Sequence, residues 1–499
     1  MLVRQEATRN IRNVREHSMS AAAPAGQFFG QRSFLAFGLV VSALLVFAIG
    51  WLAPSPASAL PSFARQTGQP CATCHTIIPE LTPYGRRFKL TGYTVRGGDT
   101  NLPPLTMLLI PGFAHTAANA DPQSGPSPNP PGFKTNDNFI TQQVSGYYAG
   151  QIYGDLGGII QVTGNPGVGG VLLDASDVRY VNQFSLFGRD AYFGIDANNA
   201  PTFQDPWNTL NDWGFPQFSW PYNSFGVPGN QIDALGGVVG GAGMYLYWND
   251  MLYAEFTAYG GFNQSTLEAL GYQPGPVPDQ HPGLMPYWRL ALEPHWGDHY
   301  LMVGTFGMYS QTVPGGSPPQ YGYGTDKYID VGIDAQYQYD GDQYSVTIKA
   351  MDTMQWMTLN NSFAYGSASN INDYQNTFKI NGTFVWDHTY AFSAGYFNVS
   401  GSSDCGLYGV VCGNNPVSVN NSPNGNGLVF DLSYAPFSHG SPWPYSTYNA
   451  RLGVQYTKYL ELYGGTTNFD GAIGTIAGAG GQHNASGNDT LWLYAVLAF

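Results

Sequence analysis

Between Asp326 and Asp340 the side chains alternate without a break. Ile329, Val331, Ile333, Ala335, Tyr337 and Tyr339 fall on one parity, and Asp330, Gly332, Asp334, Gln336 and Gln338 on the other. A strand has a side-chain period of two, so this stretch presents one apolar and one polar face. Such alternation would be wasted on a parallel strand buried on both sides. The pattern recurs in Tyr344, Val346, Ile348 and Ala350 against Gln343, Ser345, Thr347 and Lys349. It recurs again in Phe378, Ile380, Phe384 and Trp386 against Lys379, Asn381 and Thr383, and in Ala450, Leu452, Val454 and Tyr456 against Arg451, Gln455 and Thr457.

Extended along the chain, this reading predicts sixteen strands, near 105–115, 138–153, 156–165, 175–187, 190–199, 237–248, 251–263, 287–296, 299–313, 326–340, 343–357, 377–386, 389–400, 427–437, 448–461 and 490–499. Connections after even-numbered strands are short, as at Gly154-Asp155, Gly188-Arg189, Asn249-Asp250, Gly297-Asp298, Gly341-Asp342 and Asp387-His388; only Ser438 to Thr447 is longer. Those after odd-numbered strands are long and rich in Gly, Pro, Asn and Ser, as at 116–137, 201–236, 264–286 and 401–426. Short turns at one rim and long loops at the other mark an outer-membrane barrel whose N-terminus is periplasmic. The expected fold is therefore all-β, a sixteen-stranded antiparallel transmembrane β-barrel over residues 104–499. Its aromatic terminal strand, Leu491 to Phe499, resembles a barrel-assembly signal. A soluble sandwich lacks this loop alternation, and a propeller would show blade repeats. Composition agrees: 64 Gly, 34 Tyr and 29 Phe with only 10% charged residues is a poor recipe for a large soluble core.

The first 59 residues read as an export signal, with Arg4, Arg9, Arg12, Arg15 and Arg32 ahead of the apolar stretch Phe34 to Trp51, then Ala57-Ser58-Ala59 as a cleavage site. Met19 is an alternative start, and a retained helix is the alternative to cleavage. Beyond Leu60 no apolar run approaches the roughly 20 residues of a spanning helix, so membrane crossing falls to strands. Residues 60–100 carry a net charge of 5 − 2 = +3, whereas 101–499 carry 9 − 29 = −20. A cationic plug in an acidic barrel is one reading, a solvated basic face the other.

Cys71-Ala-Thr-Cys74-His75 has the spacing that attaches haem c, two thiols for the vinyl groups and an imidazole for the iron. A zinc knuckle would need two more ligands nearby, and a redox dithiol normally sits in a βαβ fold. The remaining pair, Cys405 and Cys412, flanks a Gly-rich loop, and an oxidising compartment favours their disulfide. No Ser/His/Asp set, phosphate loop or basic nucleic-acid stripe is present, so nucleic acid is excluded as a partner. About 40 residues, 60–103, are too few to bury a haem in a core of their own, whereas a barrel lumen would enclose it.

The motif's surroundings are Leu60-Pro-Ser-Phe-Ala-Arg-Gln-Thr-Gly-Gln-Pro before it and Pro79-Glu-Leu-Thr-Pro-Tyr-Gly-Arg-Arg-Phe-Lys-Leu-Thr-Gly-Tyr93 after it. This wording resembles the fused outer-membrane cytochrome-porins of iron-oxidising bacteria. The resemblance implies one haem c and a one-electron Fe(II) oxidase. Extracellular Fe(II) would be the donor, and a soluble periplasmic cytochrome c or copper protein the acceptor. The barrel would sit in outer-membrane lipid as insulation and gate. A haem-plugged porin with a sensing or transport role is the alternative, and a conduit for another donor or acceptor a third.

Met107 is the first candidate for the distal iron ligand, since a Met ligand raises the potential; His115 is the second. Arg86, Arg87 and Lys89 are candidates for the haem propionates, or else face lumen groups. Asp330, Asp334 and Glu255, on the lumen parity, are candidates for guiding Fe(II) or for structural ion pairs. The loop from Gln204-Asp-Pro-Trp-Asn208 to Trp220 is long enough to fold inward and narrow the pore.

Overall fold

Along Asp326–Asp340 the polar parity is buried and the apolar parity exposed: Asp330 is 1% and Gln338 0% exposed, against 62% for Ile333. This is the inverse of a soluble protein and the arrangement that lipid around a polar lumen requires. In this computed structural model the described residues are 61–98, 103–119, 134–165, 170–210, 227–272, 279–315, 320–409, 412, 418–439, 448–470 and 483–499. The expected export segment, 1–59, lies outside them.

The described residues form a closed antiparallel barrel of sixteen strands, counting the two-residue extension His295–Trp296 with the strand before it. The first eight are β1 Leu105–Thr116, β2 Asn138–Tyr153, β3 Leu156–Asn165, β4 Gly170–Leu186, β5 Arg189–Asn198, β6 Val239–Trp248, β7 Leu252–Gly261 and β8 Met285–Leu292. The second eight are β9 His299–Thr312, β10 Asp326–Asp340, β11 Tyr344–Thr358, β12 Asn372–Trp386, β13 Tyr390–Gly401, β14 Gly425–Tyr434, β15 Asn449–Glu461 and β16 Thr490–Ala498. Closure is made by β16 on β1, in register from Thr490 opposite Thr116 to Ala498 opposite Leu108. Closure thus leaves the sheet without a free edge.

Short turns end the strands at one rim. Asn249-Asp250 and Asp387-His388 both take positive φ at two successive residues, the left-handed hairpin geometry that matches strand twist. Two strands begin earlier than the alternation implies. β4 starts at Gly170, pairing Val171 with Gly164 across a bulge between Ile160 and Val162, so only 166–169 separate it from β3. β12 starts at Asn372, where Asn372, Asp373 and Gln375 pair with Thr358, Met357 and Gln355. Apolar residues on both parities at Val171–Leu173, and polar residues on both parities at Asn372–Asn376, hid these ends from a pattern reading, because register at a barrel rim follows the neighbour rather than local hydropathy.

The N-terminal segment sits in the barrel at the short-turn end. It comprises α1 Pro61–Thr67, α2 Cys71–Cys74, a small hairpin of His75–Ile77 with Glu80–Leu81, and α3 Pro83–Leu90. From the opposite end the chain after β5 folds inward: residues 200–210 are buried throughout, with Trp207 1% exposed. The remainder of that expected inward loop, 211–220, lies outside the described residues.

Candidate haem site

Three helical turns wrap the Cys71–His75 motif and dock it on the wall. In α1, Gln66 donates from Nε2 to the carbonyls of Tyr93 (2.7 Å) and Val95 (2.9 Å), while its Oε1 accepts from Gln151 N (2.8 Å) on β2. Ser62 N donates to Thr106 Oγ1 on β1 (3.1 Å). Phe63, Phe88 and Tyr93 pack as a trio with ring centroids 4.9, 5.5 and 5.9 Å apart. Aromatic pairs of this kind contribute roughly 0.5–1.5 kcal/mol each beyond area burial.

In α2 the thiols of Cys71 and Cys74 are three residues apart on one turn, both buried and neither in a disulfide. Cys71 Sγ accepts from Asn449 Nδ2 (2.9 Å), and Ala72 N donates to Ser438 O (3.0 Å), fixing the turn against β15 and the β14–β15 connection. Burial pushes the Cys74 thiol up to about 12 and the His75 imidazole down to about 4, so that His75 is neutral near pH 7, the form that ligates metal. His75 Nδ1 is buried with no hydrogen-bond partner. The carbonyl of His75 accepts from His388 Nδ1 at a short turn (3.1 Å).

α3 begins at an N-cap, Thr82, whose Oγ1 accepts from Gly85 N (3.1 Å), with Pro83 at the first helical position. Gly85 is required there because a Cβ would collide with the Cys74 carbonyl. Glu80 pairs with Lys349 of β11 in a buried contact. Arg86 donates to Glu293 Oε1 (2.5 Å) and Gln338 Oε1 (2.6 Å), and Arg87 to Tyr192 Oη (2.7 Å) near Asp250 (3.7 Å).

Beside Cys74 and His75 lies a cavity of about 140 Å³, partly open to solvent. The segment lines it with Phe63, Phe88 and Tyr93, the wall with Leu108, Tyr147 and Val496, and the inward loop with Phe203 and Asn208. Apolar walls, paired thiols on one turn and a neutral imidazole together fit a haem.

Four expectations about side chains are corrected here. Arg86 and Arg87 do not line the cavity: their guanidiniums tie α3 to the wall, as above. The cations that do line it are Lys89, foreseen, and Arg451, not foreseen. Lys89 Nζ donates to Phe203 O (2.5 Å) and Asp205 O (3.0 Å); Arg451 donates to Asp431 Oδ1 (2.8 Å), Ser433 Oγ (3.0 Å) and the Ile78 carbonyl. Arg451 was legible only as a charge on the lumen parity of β15. Met107 points outward, 52% exposed, because strand alternation sends Leu108 rather than Met107 to the cavity. His115 shares that outward parity and sits with Asp137 (2.7 Å). No second Met or His lines the cavity among the described residues.

Of the acidic lumen candidates, Asp330 accepts from Ile232 N and Gln355 Nε2 (both 2.8 Å), and Asp334 pairs with Arg289 (2.5 Å). Both act as structural partners. Glu255 accepts from Tyr253 Oη (2.8 Å) and makes no ion pair among the described residues. Cys405 and Cys412 are joined by a disulfide across a separation of 7 residues.

No protein-family model and no curated protein sequence matches this chain. Among solved structures it is similar to OmpF of Salmonella typhi in complex with daunomycin, at 12% identity and TM-score 0.42, covering 79% of this chain and 97% of that one. The outer membrane channel DcaP of Acinetobacter baumannii gives 12% identity and TM-score 0.42 over 79% and 96%. The anion-selective porin of Comamonas acidovorans gives 10% and 0.41 over 79% and 98%.

Proposed function

We propose that this chain is an outer-membrane porin-cytochrome, similar to the family named above, that takes one electron at a time from extracellular Fe(II) and delivers it to a periplasmic cytochrome c or copper protein. The reading rests on one observation. Cys74 and His75 of the motif line an apolar cavity inside a barrel whose lumen is filled from both ends, by the N-terminal segment and by residues 200–210. A filled lumen suits electrons better than solutes.

Cys71 and Cys74 would hold the haem through thioethers, with His75 on its iron and Lys89 and Arg451 near its propionates. The haem would supply a one-electron redox centre part-way across a roughly 30 Å insulating layer. The chain's own work is to bind and orient. Phe63, Phe88 and Tyr93 exclude water; the wall fixes the helices; the outward apolar belt seats the barrel in lipid. The long loops would face the medium and the short turns the periplasm, so that substrate and acceptor meet opposite ends.

The test uses vesicles carrying the protein, with oxidised soluble cytochrome c trapped inside and Fe(II) outside. The reading predicts reduction of the trapped cytochrome only when the protein is present. Solute leakage without such reduction would instead support a transport porin.

A further inference from the structure

One cluster of buried charges in the lumen holds more negative than positive groups. Around the inward loop, Lys89, Arg179 and Arg289 stand with Asp177, Asp196, Asp205, Glu255 and Asp334, none more than 6% exposed, which leaves 3 − 5 = −2 for this cluster. Arg179 is committed to Asp177 (2.9 Å), and Arg289 to Asp334 (2.5 Å) and Asp205 (3.2 Å). Asp196 and Glu255 make no ion pair among the described residues. Two unneutralised carboxylates cannot both stay charged in a low-dielectric interior without a counter-ion.

One oxygen here also lacks a hydrogen. Asn198 Nδ2 donates to both Asp196 Oδ2 (2.7 Å) and Gln204 Oε1 (2.8 Å), but Asp196 Oδ1 is buried with no partner. Thr257 Oγ1 lies 3.2 Å from Gln204 Oε1 and 3.4 Å from Glu255 Oε1, joining the loop's amide to the wall carboxylate. Strand register brings these groups together: Asp196 of β5 pairs with Gly243 of β6, which pairs with Thr257 of β7. Gln204 comes from the inward loop.

We propose that Asp196, Glu255, Gln204 and Thr257 bind one divalent cation in the lumen. Two carboxylates, an amide oxygen and a hydroxyl form an all-oxygen set, suited to hard or borderline dications such as Mg²⁺, Mn²⁺ or loosely held Fe²⁺. One dication cancels the excess of two charges and gives Asp196 Oδ1 the partner it lacks. Identification of the natural occupant as Fe²⁺ rests on the proposed function; binding of a dication does not.

The experiment is equilibrium dialysis of the full, haem-bearing protein against Mn²⁺, long enough for exchange past the inward loop, with bound metal read by electron paramagnetic resonance. The expected result is one Mn²⁺ per chain, weakened at least tenfold in Asp196→Asn and Glu255→Gln. Gln204→Ala, which leaves both wall carboxylates in place, gives a second variant should either wall variant misfold, and it too should weaken binding. No stoichiometric Mn²⁺, or equal binding in all variants that fold, overturns the proposal in favour of two protons. Displacement of Mn²⁺ by Fe²⁺ further supports it. Mn²⁺ bound at this site but not displaced by Fe²⁺ still upholds the dication site, and counts against the iron reading alone.

Discussion

Gly85 approaches Cys74 so closely that an ideal Cβ on Gly85 would overlap the Cys74 carbonyl oxygen and lie 3.0 Å from its carbon. One helix therefore packs directly on the turn that carries both thiols. Gly85→Ala should force the helix off this turn, an overpacking effect of about 1–3 kcal/mol or more. The expected result is a large loss of covalent haem per chain, read from the Soret band. Gly260→Ala meets nothing within 4 Å and should leave haem content unchanged.

Arg86 and Glu293 form a buried ion pair between segment and wall. Arg86→Met strands a buried carboxylate, a loss of roughly 3–5 kcal/mol, whereas replacing both partners by apolar residues recovers most of it. Limited proteolysis of the segment in denaturant should show the single variant cleaved at lower concentrations than wild type, with Arg86→Met/Glu293→Met close to wild type.

Asp205 holds the inward loop in place. Its carboxylate accepts from Thr209 N (2.8 Å), Trp207 N (3.0 Å) and Leu210 N (3.2 Å), and lies beside Arg289. Asp205→Ala should release the loop and raise single-channel conductance in planar bilayers well above the wild-type level. Equal conductance would mean that other contacts close the lumen.

Burial pushes the Lys89 ammonium down to about 8 from its ordinary 10.5. Between these values the unfolded chain binds a proton that the folded chain does not, so stability rises with pH through that window. A haem-free Cys71→Ser/Cys74→Ser variant should therefore grow more stable towards denaturant from pH 8 to 10.5. Adding Lys89→Met should flatten that part of the profile.

Much of this was legible before any coordinates, and the reason is the membrane. Ile333 and Asp334 must face lipid and lumen respectively, so local alternation reports global position in a way it does not for a soluble core. The proposed haem attachment rests on the spacing of Cys71, Cys74 and His75, which thioether chemistry would require. The cavity's other members were hidden. Arg451 is 377 residues from Cys74 in sequence, and only barrel closure brings β15 and β16 beside the N-terminal segment. Met107 misled because its position along β1 was suitable while its parity was not: a shift of one residue reverses the face.

The central claim is tested most directly by mixing the purified, oxidised protein anaerobically with Fe(II) in a stopped-flow spectrometer, from acidic to neutral pH. The account predicts rapid appearance of the reduced haem spectrum, lost when His75 is replaced. A haem that a small chemical reductant reduces but Fe(II) does not would contradict it.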